Sequence, residues 1–435
     1  MTRPADDPGL KLTPYWWEAA PCAEIEPAEV PAAIDVAIVG AGFTGLSAAL
    51  TLARAGRSVA LFDAMRAGEG ASSRKGGITS GNVKFPFTVL IEKMGLEIAK
   101  AIYGEGVAAR DHLAGLVTKE GIECRYKLVG RFTGANSAKS YERMGREADS
   151  LNKHFGIGVE MVPQAEQHRE IGTDFYHGGQ FRHDIGGVHP SLLHAGMLAC
   201  ALDAGARVIP KTAVTGIHRE AQNFEVVTAR GATQAGNVIV ATNGYTDAAL
   251  PWLRRRVIPI PSQIIATEPI DLDTMNRLMP RRRVYGDTRN LYNYYRPSPD
   301  DTCIVFGGRR GANTDDPLKK CAHLYSNLIE IFPELEGIRL THSWWGYTGY
   351  SFDFLPHLMI RDGVHYATAF CGSGVVWAPW LGRKAALTIL GDEQGETVFS
   401  RFAFKGRPLY AGKPWFLPAV IAWYGIKDHF GAARA

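Results

Sequence analysis

Cysteine is scarce in this chain and badly spaced for a framework: Cys22, Cys124, Cys200, Cys303, Cys321 and Cys371 are spread over 435 positions with no CxxC pair. That excludes a disulfide-stapled small domain and a cysteine zinc site, and it predicts reduced thiols in a cytoplasmic protein. A strong charge of one sign is missing too, because a net +4 is slight for this length, so no nucleic-acid partner is expected. The runs Arg254-Arg255-Arg256 and Arg281-Arg282-Arg283 stand beside Pro251 and Pro280 and read as solvated edges. No stretch stays apolar for the length of a membrane span, and Met1 to Ala20 has no apolar core of the secretory kind. Internal repeats and low-complexity tracts are absent. His154, His168, His177, His183, His189 and His194 crowd one region without an HxxxH pair, so no metal is expected. The tail from Trp415 to Ile426 is apolar and aromatic but broken by Pro418 and Gly425, and reads as a docked helix in preference to a membrane foot.

What is plentiful is glycine, 48 residues, and the informative ones follow an apolar run. Asp35-Val36-Ala37-Ile38-Val39 leads into Gly40-Ala41-Gly42-Phe43-Thr44-Gly45, a helical Ala/Leu pattern follows, and the next apolar run, Val59-Ala60-Leu61-Phe62, closes on Asp63. Strand, GxGxxG turn, helix, strand and acid form the order of a Rossmann-type βαβ unit. Gly40 makes the turn, Gly42 lets backbone approach a pyrophosphate, and Gly45 lets the helix pack on the strand. Phe43 and Thr44 open the helix, whose first N–H groups face the phosphates. Asp63, roughly 20 residues on, is expected to hold a ribose hydroxyl.

The length suits two domains or one large α/β body. Directly after the fingerprint comes Gly70-Ala71-Ser72-Ser73-Arg74-Lys75-Gly76-Gly77, a loop that lays backbone against a ligand. Apolar spacings of three to four predict helices from Val89 to about Leu151. His189-Pro190 opens a further helix, and strands at Arg207 to Pro210 and around Val214 precede a hairpin ending in Ala241-Thr242-Asn243-Gly244-Tyr245. Strands near Val257 to Thr267, Tyr292 to Arg296 and Thr302 to Gly307 suggest an antiparallel sheet, and the strand Val364 to Ala369 meets the loop Gly372-Ser373-Gly374 before a helix from Val375. The fold expected is α/β: a Rossmann-like domain with a second, mainly antiparallel-sheet domain. Its division is an arm at 1–32, a nucleotide domain of 33–90, 155–245 and 340–395, a substrate domain of 91–154 and 246–339, and an extension at 396–435.

A nicotinamide dehydrogenase completes its nucleotide sheet in one stretch, whereas this chain leaves it and returns near Val240 and again near Ala369. That favours FAD, with Gly372, Ser373, Gly374 and Val375 placing a helix N-terminus against the flavin edge. These segments, with His189-Pro190 and Ala241 to Tyr245, make the chain resemble the FAD-dependent D-amino-acid oxidase superfamily. Ala266-Thr267-Glu268-Pro269, Tyr294-Tyr295-Arg296, Phe306-Gly307-Gly308 and Ala422-Trp423-Tyr424-Gly425 make it most similar to the bacterial gamma-glutamylputrescine oxidase branch.

The resemblance implies that superfamily's fold and the oxidation of a carbon–nitrogen bond in a primary or secondary amine, with hydride going to the flavin and oxygen as final acceptor. Alternatives are a dehydrogenase of the opine-oxidising kind that uses another carrier, or a flavin-binding protein without turnover. Ala71, Ser72, Ser73, Arg74, Gly76, Gly77, Val214, Thr242 and Gly244 are expected to join Gly40 to Gly45 and Asp63 around FAD. Ser373, Tyr294 and Trp345, with Tyr292, Tyr347 and Trp377, would form an aromatic substrate pocket or else pack as core. His189 would approach the flavin or serve structure, and Arg74 is favoured over Lys75 for a functional part.

Three departures from relatives matter. The sarcosine-oxidase branch binds flavin covalently through a cysteine where this chain has Gly346, so FAD is expected to be non-covalent. Its carboxylate-binding lysine and arginine fall at Val376 and near Gly77, which argues against small α-amino acids, since an unpaired buried carboxylate costs several kcal/mol. Ser373 replaces the histidine of the gamma-glutamylputrescine branch, so a donor is kept with different reach.

Overall fold

The computed structural model describes residues 8–26, 28–309 and 316–432; the first seven residues of the expected arm lie outside them. Two eight-stranded sheets organise the chain. In the first, Ala33–Val39 pairs in parallel with Val59–Phe62 on one side and Gly231–Val240 on the other. Arg207–Ile209 and Val364–Thr368 continue the parallel order outward, and antiparallel His357–Arg361 finishes one edge. Along the opening strand Val36 and Ile38 enter one core while Ala37 and Val39 enter another. Burial on both faces is why the run is continuously apolar instead of alternating.

One strand has a divided edge. The first half of Gly231–Val240 pairs antiparallel with Asn223–Thr228, and its last three residues pair in parallel with Val364 to Tyr366.

The helices Phe43–Arg54 and Gly374–Ile389 cross the sheet together, joining the first and last motifs of the chain. Small residues permit this: a Cβ on Gly382 would stand 2.2 Å from the Thr44 carbonyl oxygen. Ser47 Oγ donates to the Pro379 carbonyl oxygen at 2.6 Å across the same contact. A hydrogen-bonded crossing this tight fixes where the N-terminus of the second helix points.

The second sheet runs in the order Leu340–Tyr350, Ile258–Thr267, Ile304–Gly308, Tyr294–Pro297, Val284–Asp287, Arg131–Gly134, Gly179–Arg182 and Glu160–Val162. Its pairs are antiparallel except the one joining Val284–Asp287 to Arg131–Gly134. Phe132, Tyr176, Tyr285, Tyr295 and Phe306 fill its core. The architecture is the α/β one expected, a Rossmann-like sheet with a second, mainly antiparallel sheet.

Sheet membership and the expected division cross in places. Glu160–Val162, Gly179–Arg182 and Leu340–Tyr350 belong to the second sheet although they fall in stretches read as nucleotide domain. Leu96–Lys119 buries Ala99, Ile102, Ala109 and Leu113 in the core beside the parallel sheet, although its stretch reads as substrate domain. The strand Arg131–Gly134 interrupts the block read as helical, its four residues being too short a run to break a helical period. At the far end Leu417–Ala432 is a helix, and Asp428 accepts hydrogen bonds from Asn290 N and Leu291 N at 2.7 and 3.0 Å. Among the described residues no helix is long and apolar enough to cross a membrane.

Candidate functional site

Each glycine of the turn has its own steric reason. Gly40 adopts φ +107, open to glycine, and its N–H donates to the Phe62 carbonyl oxygen at 2.8 Å. A Cβ on Gly42 would stand 2.8 Å from Ser72 Oγ, which accepts the Phe43 N–H at 3.0 Å. A Cβ on Gly45 would stand 2.0 Å from the Gly40 carbonyl oxygen. Behind the turn, buried His194 Nε2 donates to the Ala41 carbonyl oxygen at 2.9 Å. Asp63 accepts the N–H groups of Ala41 at 2.7 Å and Met65 at 2.9 Å, and burial pushes its carboxyl up to about 6.

A slot of about 120 Å³ opens beside this turn. Gly40, Gly42, Phe43, Thr44, Asp63, Ala71, Ser72, Val214 and Thr242 line it. The slot adjoins a chamber of about 800 Å³, the two sharing Ala71, Lys75, Asn243 and Phe370 as walls. Arg74, Gly76, Gly77, Tyr294, Gly372, Ser373, Gly374 and Val375 line the chamber.

The loop between them is wound tightly. Ala369, Cys371 and Gly372 have φ of +60, +49 and +103. For the two non-glycine residues this conformation costs roughly 1–2 kcal/mol each. Asn243, itself at φ +45, holds the loop: its Oδ1 accepts the Ala369 N–H at 2.9 Å. Cys371 N–H donates to the Gly349 carbonyl oxygen at 3.1 Å, tying the loop to the second sheet. Asn243→Ala should therefore destabilise the protein by roughly 2–4 kcal/mol, the sum of an unsatisfied buried N–H and a left-handed alanine. Asn243→Asp keeps an acceptor oxygen and should lose less; urea unfolding of both variants measures the difference.

Several residues expected at the site stand behind it. Gly45 and Gly244 serve backbone packing, with a Cβ on Gly244 3.0 Å from Gly349 N. Ser73 Oγ donates to the Gly68 carbonyl oxygen at 2.7 Å. Trp345 is not on the chamber wall: Gly346, Tyr347 and Thr348 line it, while the Trp345 ring packs against that of Tyr347, 5.0 Å away. Trp377 is core, its Nε1 donating to the Asn82 carbonyl oxygen at 3.2 Å. His189 caps its helix, Nδ1 accepting the Leu192 N–H at 3.2 Å. Arg74 donates Nε to the Glu69 carbonyl oxygen at 2.7 Å and lies 4.7 Å from the centre of the Trp17 ring.

The chamber has cations at positions other than the two taken from the sarcosine-oxidase branch. Lys84, Arg131 and Arg309 line it. Arg309 Nη2 donates to Tyr292 Oη at 2.9 Å, and its guanidinium lies 4.8 Å from the centre of the Tyr350 ring. Lys84 Nζ stands 4.7 Å from the centre of the Tyr292 ring. Arg131 Nε and Arg309 Nε are buried without a hydrogen-bond partner among the described residues. Of the acids lining the chamber, Glu147 accepts the N–H groups of Phe87 and Thr88, Asp287 accepts from Asn293, and Glu92 stands exposed at the surface. Burial alone would raise the Tyr292 hydroxyl, yet Arg309, Lys84 and Arg131 together carry it below the ordinary phenol value. Ser373 Oγ and Ser80 Oγ lie 3.2 Å apart on another wall.

The residues fit a dinucleotide whose length exceeds either cavity. The slot offers a glycine cradle and a helix start that Gly42 leaves without a side-chain cap, and the chamber offers a second helix start at Gly374. The thiol on the chamber wall, Cys371 Sγ, is turned to the Ala369 carbonyl oxygen at 3.1 Å, and burial pushes it up to about 12.

Comparison with known proteins agrees with this geometry. The family of FAD dependent oxidoreductases known as DAO is matched over residues 35–387. Gamma-glutamylputrescine oxidoreductase of Escherichia coli K12 is 28% identical over 403 residues, covering 91% of this chain and 93% of that one. A probable oxidoreductase, OrdL, of Rhizobium meliloti is 28% identical over 424 residues, covering 95% and 97%. Among solved structures, glycine oxidase from Geobacillus kaustophilus superposes with a TM-score of 0.72 at 19% identity, over 87% of this chain and 99% of that one. The chain thus belongs to the DAO family of FAD-dependent oxidoreductases, and FAD is its cofactor.

Proposed function

We propose that the protein oxidises a carbon–nitrogen bond in a primary or secondary amine that also carries an anionic group, with oxygen as the final acceptor. The unpaired Arg309 and Arg131 guanidinium nitrogens in the chamber carry this reading. A gamma-glutamylated or N-substituted amino compound has the required pair of groups. The same cations serve the chemistry, since positive charge and desolvation both favour the neutral amine that must react. Tyr294 and Ser373 offer hydroxyls on the facing walls, and Tyr292 with Tyr347 supplies ring faces for the substrate amine.

On this reading Gly40, Gly42, Thr44 and Asp63 hold the adenine half of a non-covalent FAD, and Gly372 to Val375 meet its other half. FAD when bound supplies a hydride acceptor and passes the electrons on. The substrate carbon gives up a hydride while the nitrogen lone pair closes the C=N bond, the resulting iminium loses a proton from nitrogen where the amine is primary or secondary, and water splits the imine to a carbonyl compound and ammonia or an amine.

Anaerobic titration of the holoprotein with polyamines, gamma-glutamylated amines, N-methylated amino acids and opines tests this. Bleaching of the yellow absorbance by a carboxylate-bearing amine, and not by its uncharged counterpart, is the expected result. No bleaching with any compound would sink the amine reading. Slow reoxidation in air after bleaching would remove oxygen from it and leave a dehydrogenase with another carrier.

A further inference from the structure

Lys75 has no part in the chemistry above, and it occupies the seam of the site. It lines the slot and the chamber together, a position it shares with Ala71, Asn243 and Phe370 alone. No hydrogen bond or ion pair reaches its ammonium from any described residue. Its Nζ lies 5.4 Å from the centre of the Phe43 ring, at the start of the first helix. On the other side it packs on Gly374, where a Cβ would stand 2.4 Å from Nζ.

The Phe43 ring face attracts a cation, but the backbone on both sides repels one. Phe43 and Gly374 each begin a helix, of 12 and 16 residues, whose N-terminal N–H groups carry partial positive charge. A lysine wedged between two helix N-termini, desolvated and without a carboxylate, opposes its own ionisation; burial pushes it down to about 7. Arrangements of this kind destabilise a chain unless a ligand brings the missing negative charge.

The other charged groups around the seam are engaged elsewhere. From the same loop Arg74 turns to Glu69 and Trp17. Across the slot Asp63 is held by two backbone N–H groups, and Asp247 Oδ1 accepts the Ala249 N–H at 3.0 Å. His194 is bonded to the Ala41 carbonyl oxygen, Tyr245 Oη accepts the Tyr347 N–H at 3.3 Å, and Tyr294 pairs with Ser262. Lys84 and Arg309 gather on Tyr292.

We propose that Lys75 is the cationic contact for the anionic part of bound FAD, so that loading the cofactor above neutral pH takes up one proton from solvent at this ammonium. The proposal rests on the placement of the cofactor given above. Two parts of FAD supply such an anion, the pyrophosphate and the two-electron-reduced ring, and they separate by measurement.

Apoprotein is reconstituted with FAD and the dissociation constant followed from pH 6 to 9 in wild type, Lys75→Met and Lys75→Arg. If the pyrophosphate is the partner, wild type binds with constant affinity below about pH 7 and loses about tenfold per pH unit above it, where the free lysine is neutral. Lys75→Met then binds roughly 10- to 100-fold more weakly at pH 6.5 with a flat profile, the range of a hydrogen bond to a charged group. Lys75→Arg keeps the affinity and stays flat to pH 9, because arginine does not titrate there. If the reduced ring is the partner, oxidised FAD binds the variants alike. The midpoint potential of Lys75→Met then falls by about 30 mV for each tenfold lost.

Wild-type affinity and potential in Lys75→Met, with an unchanged pH profile, would overturn the proposal. Melting of the apoproteins guards against a folding artefact, since losing an unpaired cation should leave apo Lys75→Met at or above the wild-type temperature. Gly42→Val reports separately on the cofactor's placement: if it leaves FAD affinity intact, that reading fails whatever Lys75 does.

Discussion

Gly45→Ala should yield little or no soluble yellow protein. The added methyl would stand 2.0 Å from the Gly40 carbonyl oxygen and 3.2 Å from both Gly40 C and Ile38 Cγ2, so backbone must move. Retreat is blocked, because the same helix is pressed at Thr44 by Gly382 and tied through Ser47 to Pro379. Overpacking that cannot relax costs several kcal/mol, about 4 or more where backbone meets backbone, which is a large share of a typical domain's stability. Gly115→Ala is the contrast. It lies inside the helix Leu96–Lys119 with nothing within 4 Å of the new methyl, and should stabilise by roughly 0.5–1 kcal/mol. Thermal melting and the absorbance of purified protein compare the two. A yellow Gly45→Ala protein melting within a few degrees of wild type would contradict the close approach.

Arg309→Met should lower kcat/KM for a carboxylate-bearing amine by roughly a hundred- to a thousandfold, the consequence of leaving a desolvated anion without its partner. An uncharged amine of the same length should lose little, and FAD should stay bound because the slot is untouched. Arg309→Lys should rescue only part of the loss. The guanidinium lies 4.9 and 4.8 Å from the centres of the Tyr292 and Tyr350 rings, a planar fit that a lysine ammonium does not reproduce. Equal losses for charged and uncharged amines would assign Arg309 to the scaffold instead.

What the chain discloses by reading alone is what depends on neighbours in sequence. The glycine turn, Asp63 and the strands either side are set by local sterics and period, so Gly40, Gly42 and Asp63 are legible at once. The hairpin ending at Val240 and the helix after Gly374 are legible for the same reason. Trp345 is not, because which stretch of Leu340–Tyr350 reaches the chamber depends on where the strand runs beside Ile258–Thr267, and the lining residues are Gly346, Tyr347 and Thr348. The cations of the chamber are harder still. Arg131, Tyr292 and Arg309 meet through the register of strands far apart in the chain, Arg131 opposite Val284 and Tyr294 opposite Gly307. Asn243 carried a faint signal, an Asn-Gly after a strand, which tolerates positive φ. That it clasps a loop more than a hundred residues away was not legible in any local pattern.

The divided edge of the strand Gly231–Val240 has a bearing on how the molecule is made. Its hairpin partner is synthesised just before it, but Val364 to Tyr366 come much later, and Pro379 follows Ser47 by 332 positions. At ribosomal speeds that interval is roughly 20–60 s. Throughout it the glycine turn has no second helix to lean on, and from its own synthesis until Val364 emerges the segment Val238 to Val240 presents an unpaired apolar edge. The nascent chain therefore needs shelter from other strands until Val364 to Tyr366 have emerged, and the chamber wall at Gly372 to Val375 is completed long after the glycine turn.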